Sequence, residues 1–255
     1  MNHTFKQHII FDLDDTLIHC NKYFGLVLGE FFELMHHWLG AGTFTTDEIR
    51  QKQIDIDVER VSRTGFSSGN FPKSLIETYR FFCRKLGRPV RSEEELELNK
   101  LGLSVYERDV EPYPGMVETL ETLQKDGHRL YLYTGGETKI QQRKIDQMKL
   151  SDYFGDRIYI TQHKNEATLE NILQSGAFDR ISTWMIGNSL RTDVAPALSA
   201  GLNSIYIRQD NEWAFNMVEL KQKPDSSFYT ISSIEEIPGI VERKVQEEQK
   251  QRALN

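Results

Sequence analysis

The stretch IIFDLDDTLIHC places three carboxylates, Asp12, Asp14 and Asp15, directly after an apolar run that reads as a buried strand. Three acids within four residues repel one another and lose hydration unless a cation sits among them, so a bound metal is the economical explanation of the cluster. Ligands of a parallel sheet bind in the crevice outside the carboxyl ends of its strands, which is where these acids fall. The alternative for such acids is a helix N-cap or a turn, and that reading suits Asp15 best.

The elements that must position this cluster follow from the apolar pattern. KQHIIFDLD, RLYLYT, DRIYIT, STWMIG and NSIYIR read as strands, and FYTISS as an added edge strand. Between those after position 113 lie GMVETLETLQKDG, ETKIQQRKIDQMKL, EATLENILQSG and DVAPALSAG, with apolar residues three or four apart and several closed by Gly. This alternation predicts an α/β fold: a doubly wound, mostly parallel sheet with right-handed crossovers and helices on both faces. The tail IVERKVQEEQKQRALN reads as a solvated helix that frays.

Residues 19–109 break the rhythm, holding helical patterns and no strand. We read them as an inserted α-helical bundle, with helices over 22–39, 46–62, 73–86 and 92–107. Residues 1–18 and 110–255 then form the sheet domain. Thr45 with Glu48 and Ser92 with Glu95 each fit a capping box, Pro72 suits a first helical turn, and Gly87 suits a helix stop. PYPG at 112–115 punctuates the return to the sheet as a junction or hinge would.

Composition narrows the function classes. Against 31 Lys and Arg stand 38 Asp and Glu, a formal net charge of -7, which argues against nucleic acid or an anionic membrane as the main partner. No apolar run approaches the roughly 18 residues of a membrane span, and MNHTFKQHIIFDLDD meets acids too early for a signal peptide, so a cytoplasmic protein is expected. Cys20 and Cys83 have no metal-type spacing and are expected as reduced, non-catalytic thiols.

Four motifs in chain order carry a resemblance. DLDDTL is similar to the first motif of the haloacid dehalogenase-like superfamily. LYLYTGG supplies Thr134 at the end of the next core strand, where the superfamily has its second motif, a Ser or Thr. QHKNEATLENIL supplies Lys164 for the third. MIGNSLRTD supplies Gly187, Asn188 and Asp193 for the fourth, an acidic loop that commonly begins Gly-Asp. The resemblance covers the sheet domain, and the helical insertion matches the place of the superfamily's cap.

The resemblance implies a phosphatase, and the chemistry agrees. A carboxylate is a competent nucleophile toward phosphorus, the role assigned to Asp12. Asp14, two residues on along an extended chain, points to the same side and would act as general acid and base. Thr134 and Lys164 would stabilise charge on the phosphoryl oxygens, together with backbone N–H groups at the starts of helices after Leu13 and Gly135. Lys139, Lys144 and Lys149 lie in one helical pattern and read as a solvated face.

Magnesium fits a site of one or two carboxylates completed by phosphate and water. The resemblance implies Asp12, the Asp14 backbone carbonyl and a fourth-motif residue as its ligands; Asn188 and Asp193 both stand for that place, either of them as the inner ligand, with Asp193 binding directly or through water. Asn188 departs from the usual Asp, keeping an oxygen ligand while removing one negative charge. Asp193 also reads as an N-cap of the following helix. An acid at Asp14 favours a phosphatase over a dehalogenase, because a halide leaves without a proton. A phosphomutase would use the same motifs. The rivals outside enzymology are a receiver-like domain, against which the D-x-D pair and the insertion count, and a non-catalytic binder of phosphorylated ligands. A small phosphorylated metabolite is the expected partner.

Overall fold

The structure, a computed structural model, describes residues 6–220 and 226–253. Its centre is a six-stranded sheet in the order β3-β2-β1-β4-β5-β6, parallel throughout. The strands are β1 (His8–Phe11), β2 (Arg129–Gly135), β3 (Ile158–Thr161), β4 (Thr183–Gly187), β5 (Asn203–Ile207) and β6 (Phe228–Ile231). The chain builds outward from β1 to β3, then returns to place β4 on the other side of β1. The strand order therefore reverses between β1 and β4, opening a crevice at their carboxyl ends. Asp12 and Asn188 follow those two strands directly.

Alternation along each strand splits the apolar residues between the two faces. Ile9, Phe11, Leu130, Leu132, Trp184 and Ile186 enter one core, and Ile10, Tyr131, Tyr133 and Met185 enter the other. Both faces are covered, as parallel strands require.

Between β1 and β2 the chain makes five α-helices, of which the first four form the insertion: α1 (Asn21–Leu39), α2 (Thr46–Thr64), α3 (Asn70–Leu86) and α4 (Ser92–Ser104). They enclose their own apolar cluster, including Phe31, Met35, Leu75, Tyr79, Phe82 and Leu98. The Thr45–Glu48 capping box forms as expected. Gly87 ends α3 in the left-handed region at φ +66°, with its N–H on Arg84 and Cys83. The second capping box does not form: Arg91 is the N-cap of α4, Ser92 lies inside the helix, and Glu95 is taken by Arg80 at 2.5 Å. An ion pair across two helices has displaced the local cap.

The remaining α-helices connect or follow the strands, α6 and α7 sharing one connection: α5 (Met116–Lys125), α6 (Thr138–Gln147), α7 (Ser151–Phe154), α8 (Glu166–Ser175), α9 (Ala195–Ser199) and α10 (Ile237–Ala253). The tail differs from expectation, because Ile237, Ile240, Val241 and Val245 of α10 are buried in the sheet core. Its many charges hide a narrow apolar stripe, at the three- and four-residue spacing of a packed helix. No helix of the described residues is long and apolar enough to cross a membrane.

Candidate active site

The chain leaves β1 as an extended segment, Asp12 donating its N–H to Ile186 at 2.9 Å. A tight turn follows in place of the helix expected after Leu13: Leu17 N–H donates to Leu13 at 2.9 Å, and Asp15 adopts φ +57°. The Asp15 side chain faces away from the acidic cluster, accepting from the N–H groups of Cys20 at 2.9 Å and Asn21 at 3.0 Å. It ties the turn to the start of α1, as its reading as a turn residue requires.

Asp12 is nearly fully buried, and both of its carboxylate oxygens are engaged. Lys164 Nζ lies 2.5 Å from Oδ1, and Thr16 Oγ1 donates to Oδ2 at 3.0 Å. Lys164, from the loop between β3 and α8, also pairs with Asp193 Oδ1 at 2.5 Å, so one ammonium bridges two buried carboxylates. Burial opposes the charge on Lys164, but Asp12 and Asp193 outweigh it and hold its pKa above the ordinary value. Burial raises the pKa of Asp12, with Asp193 adding to the push and Lys164 pulling against it.

Asp193 reaches this position through an unusual turn. Residues Leu190–Val194 form a single π-helical turn whose N-cap is Ser189, its side chain accepting from Thr192 N–H at 3.1 Å. Asp193 is therefore not the cap of the next helix. Its Oδ2 accepts from Ser189 N–H at 3.0 Å, and a Cβ at Gly187 would fall 2.1 Å from that oxygen. Only glycine admits the carboxylate so close to the end of β4.

Thr134, at the end of β2, is buried, and its Oγ1 lies 2.6 Å from Gln141 Nε2. The same amide donates to Asp14 at 2.9 Å. Lys144 completes the grip on Asp14, its Nζ 2.7 Å and 2.9 Å from the two carboxylate oxygens. This corrects the reading of Lys139, Lys144 and Lys149 as one solvated face. A five-residue step turns a helix by about 140°, so these lysines cannot share a face, and that spacing was the available signal. Lys139 and Lys149 are exposed, while the side chain of Lys144 is 14% exposed and sits in the site.

The structure thus brings Asp12, Asp14, Thr134, Gly135, Lys164, Asn188 and Asp193 to the wall of one cavity of about 840 Å³, and adds Gln141 and Lys144. Across it stand residues of the helical insertion that sequence reasoning missed. Phe66, in the loop between α2 and α3, lies over Gly135: a Cβ there would fall 2.7 Å from Phe66 Cδ2. The loop is held by Phe66 N–H on Gln162 at 2.8 Å and by Ser68 N–H on Glu137 at 2.9 Å. Asp57 of α2 accepts from the Trp213 indole N–H at 3.0 Å. Gly65 and Gly69 flank Phe66 and were the one local hint of a tight loop.

Three carboxylates, Asp12, Asp14 and Asp193, face two ammonium groups, Lys144 and Lys164, leaving a negative surplus in a buried place. The described residues contain no ready cage of three or more His, Cys, Asp or Glu side chains. The oxygen donors here are instead two carboxylates, the Asn188 amide and a main-chain carbonyl. Asn188 Nδ2 is buried without a hydrogen-bond partner. This mixed, hard and incomplete donor set suits Mg²⁺, which retains water and takes one or two protein carboxylates.

A parallel sheet with its crevice at the β1/β4 reversal, and an aspartate-lysine-aspartate bridge there, define a hydrolase of the haloacid dehalogenase-like family. Residues 6–201 match that family, and the chain belongs to it. The chain is 27% identical over 145 residues to ribulose-1,5-bisphosphate 5-phosphatase of Halopiger xanaduensis, covering 53% of this chain and 60% of that protein. It is 22% identical over 244 residues to the pyrimidine 5′-nucleotidase YjjG of Escherichia coli, covering 91% of this chain and 96% of that one. In fold it is similar to a haloacid dehalogenase-like family hydrolase from Xanthomonas campestris, with a TM-score of 0.75 at 23% identity, covering 96% of this chain and 98% of that chain.

Proposed function

We propose that this protein is a Mg²⁺-dependent phosphatase of small phosphomonoesters in the cytoplasm, working through an aspartyl-phosphate. The observation that carries the reading is the bridge of Lys164 between Asp12 and Asp193, with Thr134 and Asp14 beside it. Asp12 attacks phosphorus, the P–O bond to the leaving group breaks, and Asp14 protonates the departing oxygen. Asp14 then takes a proton from the water that hydrolyses the intermediate. Thr134, the Gly135 backbone and Lys164 hold the phosphoryl oxygens. Asp12, the Asp14 carbonyl, Asn188 and Asp193 would hold the magnesium, which supplies charge neutralisation between nucleophile and phosphate.

Residues 19–109 serve as a cap over a catalytic core of 1–18 and 110–255. Two chain passes join them, bonded by His19 N–H on Glu111 at 2.8 Å and by Tyr113 N–H on Leu17 at 2.9 Å. The names of the two curated relatives, both phosphatases of small phosphorylated molecules, support the reading. Asp14 weighs against dehalogenase chemistry, which has no leaving oxygen to protonate.

Purified protein with Mg²⁺ is expected to hydrolyse p-nitrophenyl phosphate, to stop on chelation, and to lose nearly all activity as Asp12→Asn. Turnover that survives Asp12→Asn would sink the assignment.

A further inference from the structure

The cavity is far larger than a phosphate needs, and its walls away from the catalytic carboxylates are aromatic. Phe24, Phe32, Phe66, Phe71, Tyr106 and Trp213 line it. The rings nearest the phosphoryl end interlock across the two parts of the chain: Phe66 lies 6.2 Å from Trp213 and 5.7 Å from Phe215, and the last two are 5.0 Å apart. Phe66 also covers Gly135, the residue after Thr134. An aromatic wall therefore begins where a phosphoryl group on Asp12 would end.

The charges point the same way. Among the described residues, each lysine or arginine lining the cavity is already paired: Lys22 with Glu111, Arg50 with Asp47, Lys144 with Asp14, and Lys164 with Asp12 and Asp193. The acids are not all matched. Asp57 is buried on the cavity wall, its ordered partner is the neutral indole of Trp213, and Arg60, one turn along, is taken by Glu77 at 2.5 Å. Gln53, Asn70 and Asn216 add uncharged polar groups to the same lining.

We propose that the cavity selects phosphomonoesters whose leaving group carries an uncharged aromatic ring with hydrogen-bond donors, the chemistry of a nucleoside monophosphate, and rejects a second phosphate. A second phosphate would bring about two negative charges into a wall whose described residues offer no free cation. A ring would stack on Phe66 or Trp213 and offer donors to Asp57. Stacking of a base on an aromatic side chain is worth about 5- to 150-fold in affinity. This inference rests on the phosphatase reading.

The test compares kcat/KM for a nucleoside 5′-monophosphate, ribose 5-phosphate and a sugar 1,5-bisphosphate with Mg²⁺, and repeats it for Phe66→Leu and Asp57→Asn. At least a tenfold preference for the nucleotide is expected, with a shrunken preference in both variants, expressed mainly in KM. An equal or better bisphosphate, or a preference untouched by Phe66→Leu, overturns the proposal. Calorimetry of the same three compounds on the Asp12→Asn protein reads selectivity without turnover. Selective nucleotide binding there, with no hydrolysis by the unsubstituted protein, would sink the catalytic reading and keep the pocket. Efficient hydrolysis with bisphosphate preferred would sink the pocket and keep the catalysis.

Discussion

Lys144 Nζ sits 2.7 Å and 2.9 Å from the two oxygens of Asp14, across 130 residues of sequence. Gln141, one turn earlier on α6, binds the same carboxylate and Thr134 Oγ1. Helix α6 therefore sets the orientation of the proposed acid-base residue from outside the first motif. Burial lowers and Asp14 raises the pKa of Lys144, and the balance is upward, so the lysine keeps its charge beside the carboxylate it orients.

Lys144→Met should misplace Asp14 without touching the phosphoryl site. Proton donation matters most for poor leaving groups, so kcat on an alkyl phosphate should fall about tenfold, and on p-nitrophenyl phosphate far less. A leaving-group series measures the difference. Equal loss across the series would mean that Lys144 contributes to binding and not to the orientation of Asp14.

Gly135→Ala puts a methyl group 2.7 Å from the Phe66 ring. Overpacking of this kind costs about 1–3 kcal/mol, or several degrees in Tm. The loop at 65–69 should lift, raising KM as well. Thermal unfolding and steady-state kinetics together check this, and a variant unchanged in both would show that the ring does not press on Gly135.

Within the insertion, Arg88 donates to the two Glu94 oxygens at 2.7 and 2.6 Å, and Tyr79 also binds Glu94. Arg88 holds the Glu94 carboxyl below its ordinary pKa, ahead of the opposing effect of burial. The folded chain thus binds this proton more weakly than the unfolded one. The stabilisation is complete above the unfolded value of about 4.3 and fades as pH falls through the lower folded value. Glu94→Gln should lower stability by roughly 2 kcal/mol at pH 7. The gap should close at an acid pH below the lowered folded value, where the native carboxylate also becomes protonated. Denaturant titrations at both pH values test the sign, and a gap that widened in acid would refute it.

Ile237 at the start of α10 is fully buried against the sheet. Ile237→Ala should cost about 2–4 kcal/mol, the range for emptying a packed core position. A loss under about 0.5 kcal/mol would mean that the closing helix is only loosely docked.

Much of this protein was legible in the chain itself. Apolar runs of strand length and helical periodicity are local signals, and they marked all six strands and the helical insertion. Asp12, Thr134 and Lys164 could be singled out because they stand in the order of a family's motifs along the chain, and the parallel strands bring them to the wall of one cavity. Ser92 misled because the cap competed with an ion pair to Arg80, and the tail misled because buried residues were scattered among charges.

What tertiary structure decided were the contacts that no local pattern encodes. Which lysine of α6 enters the site depends on how the helix is rotated against the sheet, and that rotation is set by Ile145 and its neighbours in the core. Asp193 bonds with Lys164 because a π-turn and the bare Cα of Gly187 let it in. Phe66 and Asp57 meet the sheet only after the insertion folds back across the crevice. Sequence determined the acids and the strand that presents them, because both are adjacent along the chain. The cation beside each acid, and the aromatic wall opposite, came from residues far apart in sequence that only packing brings together.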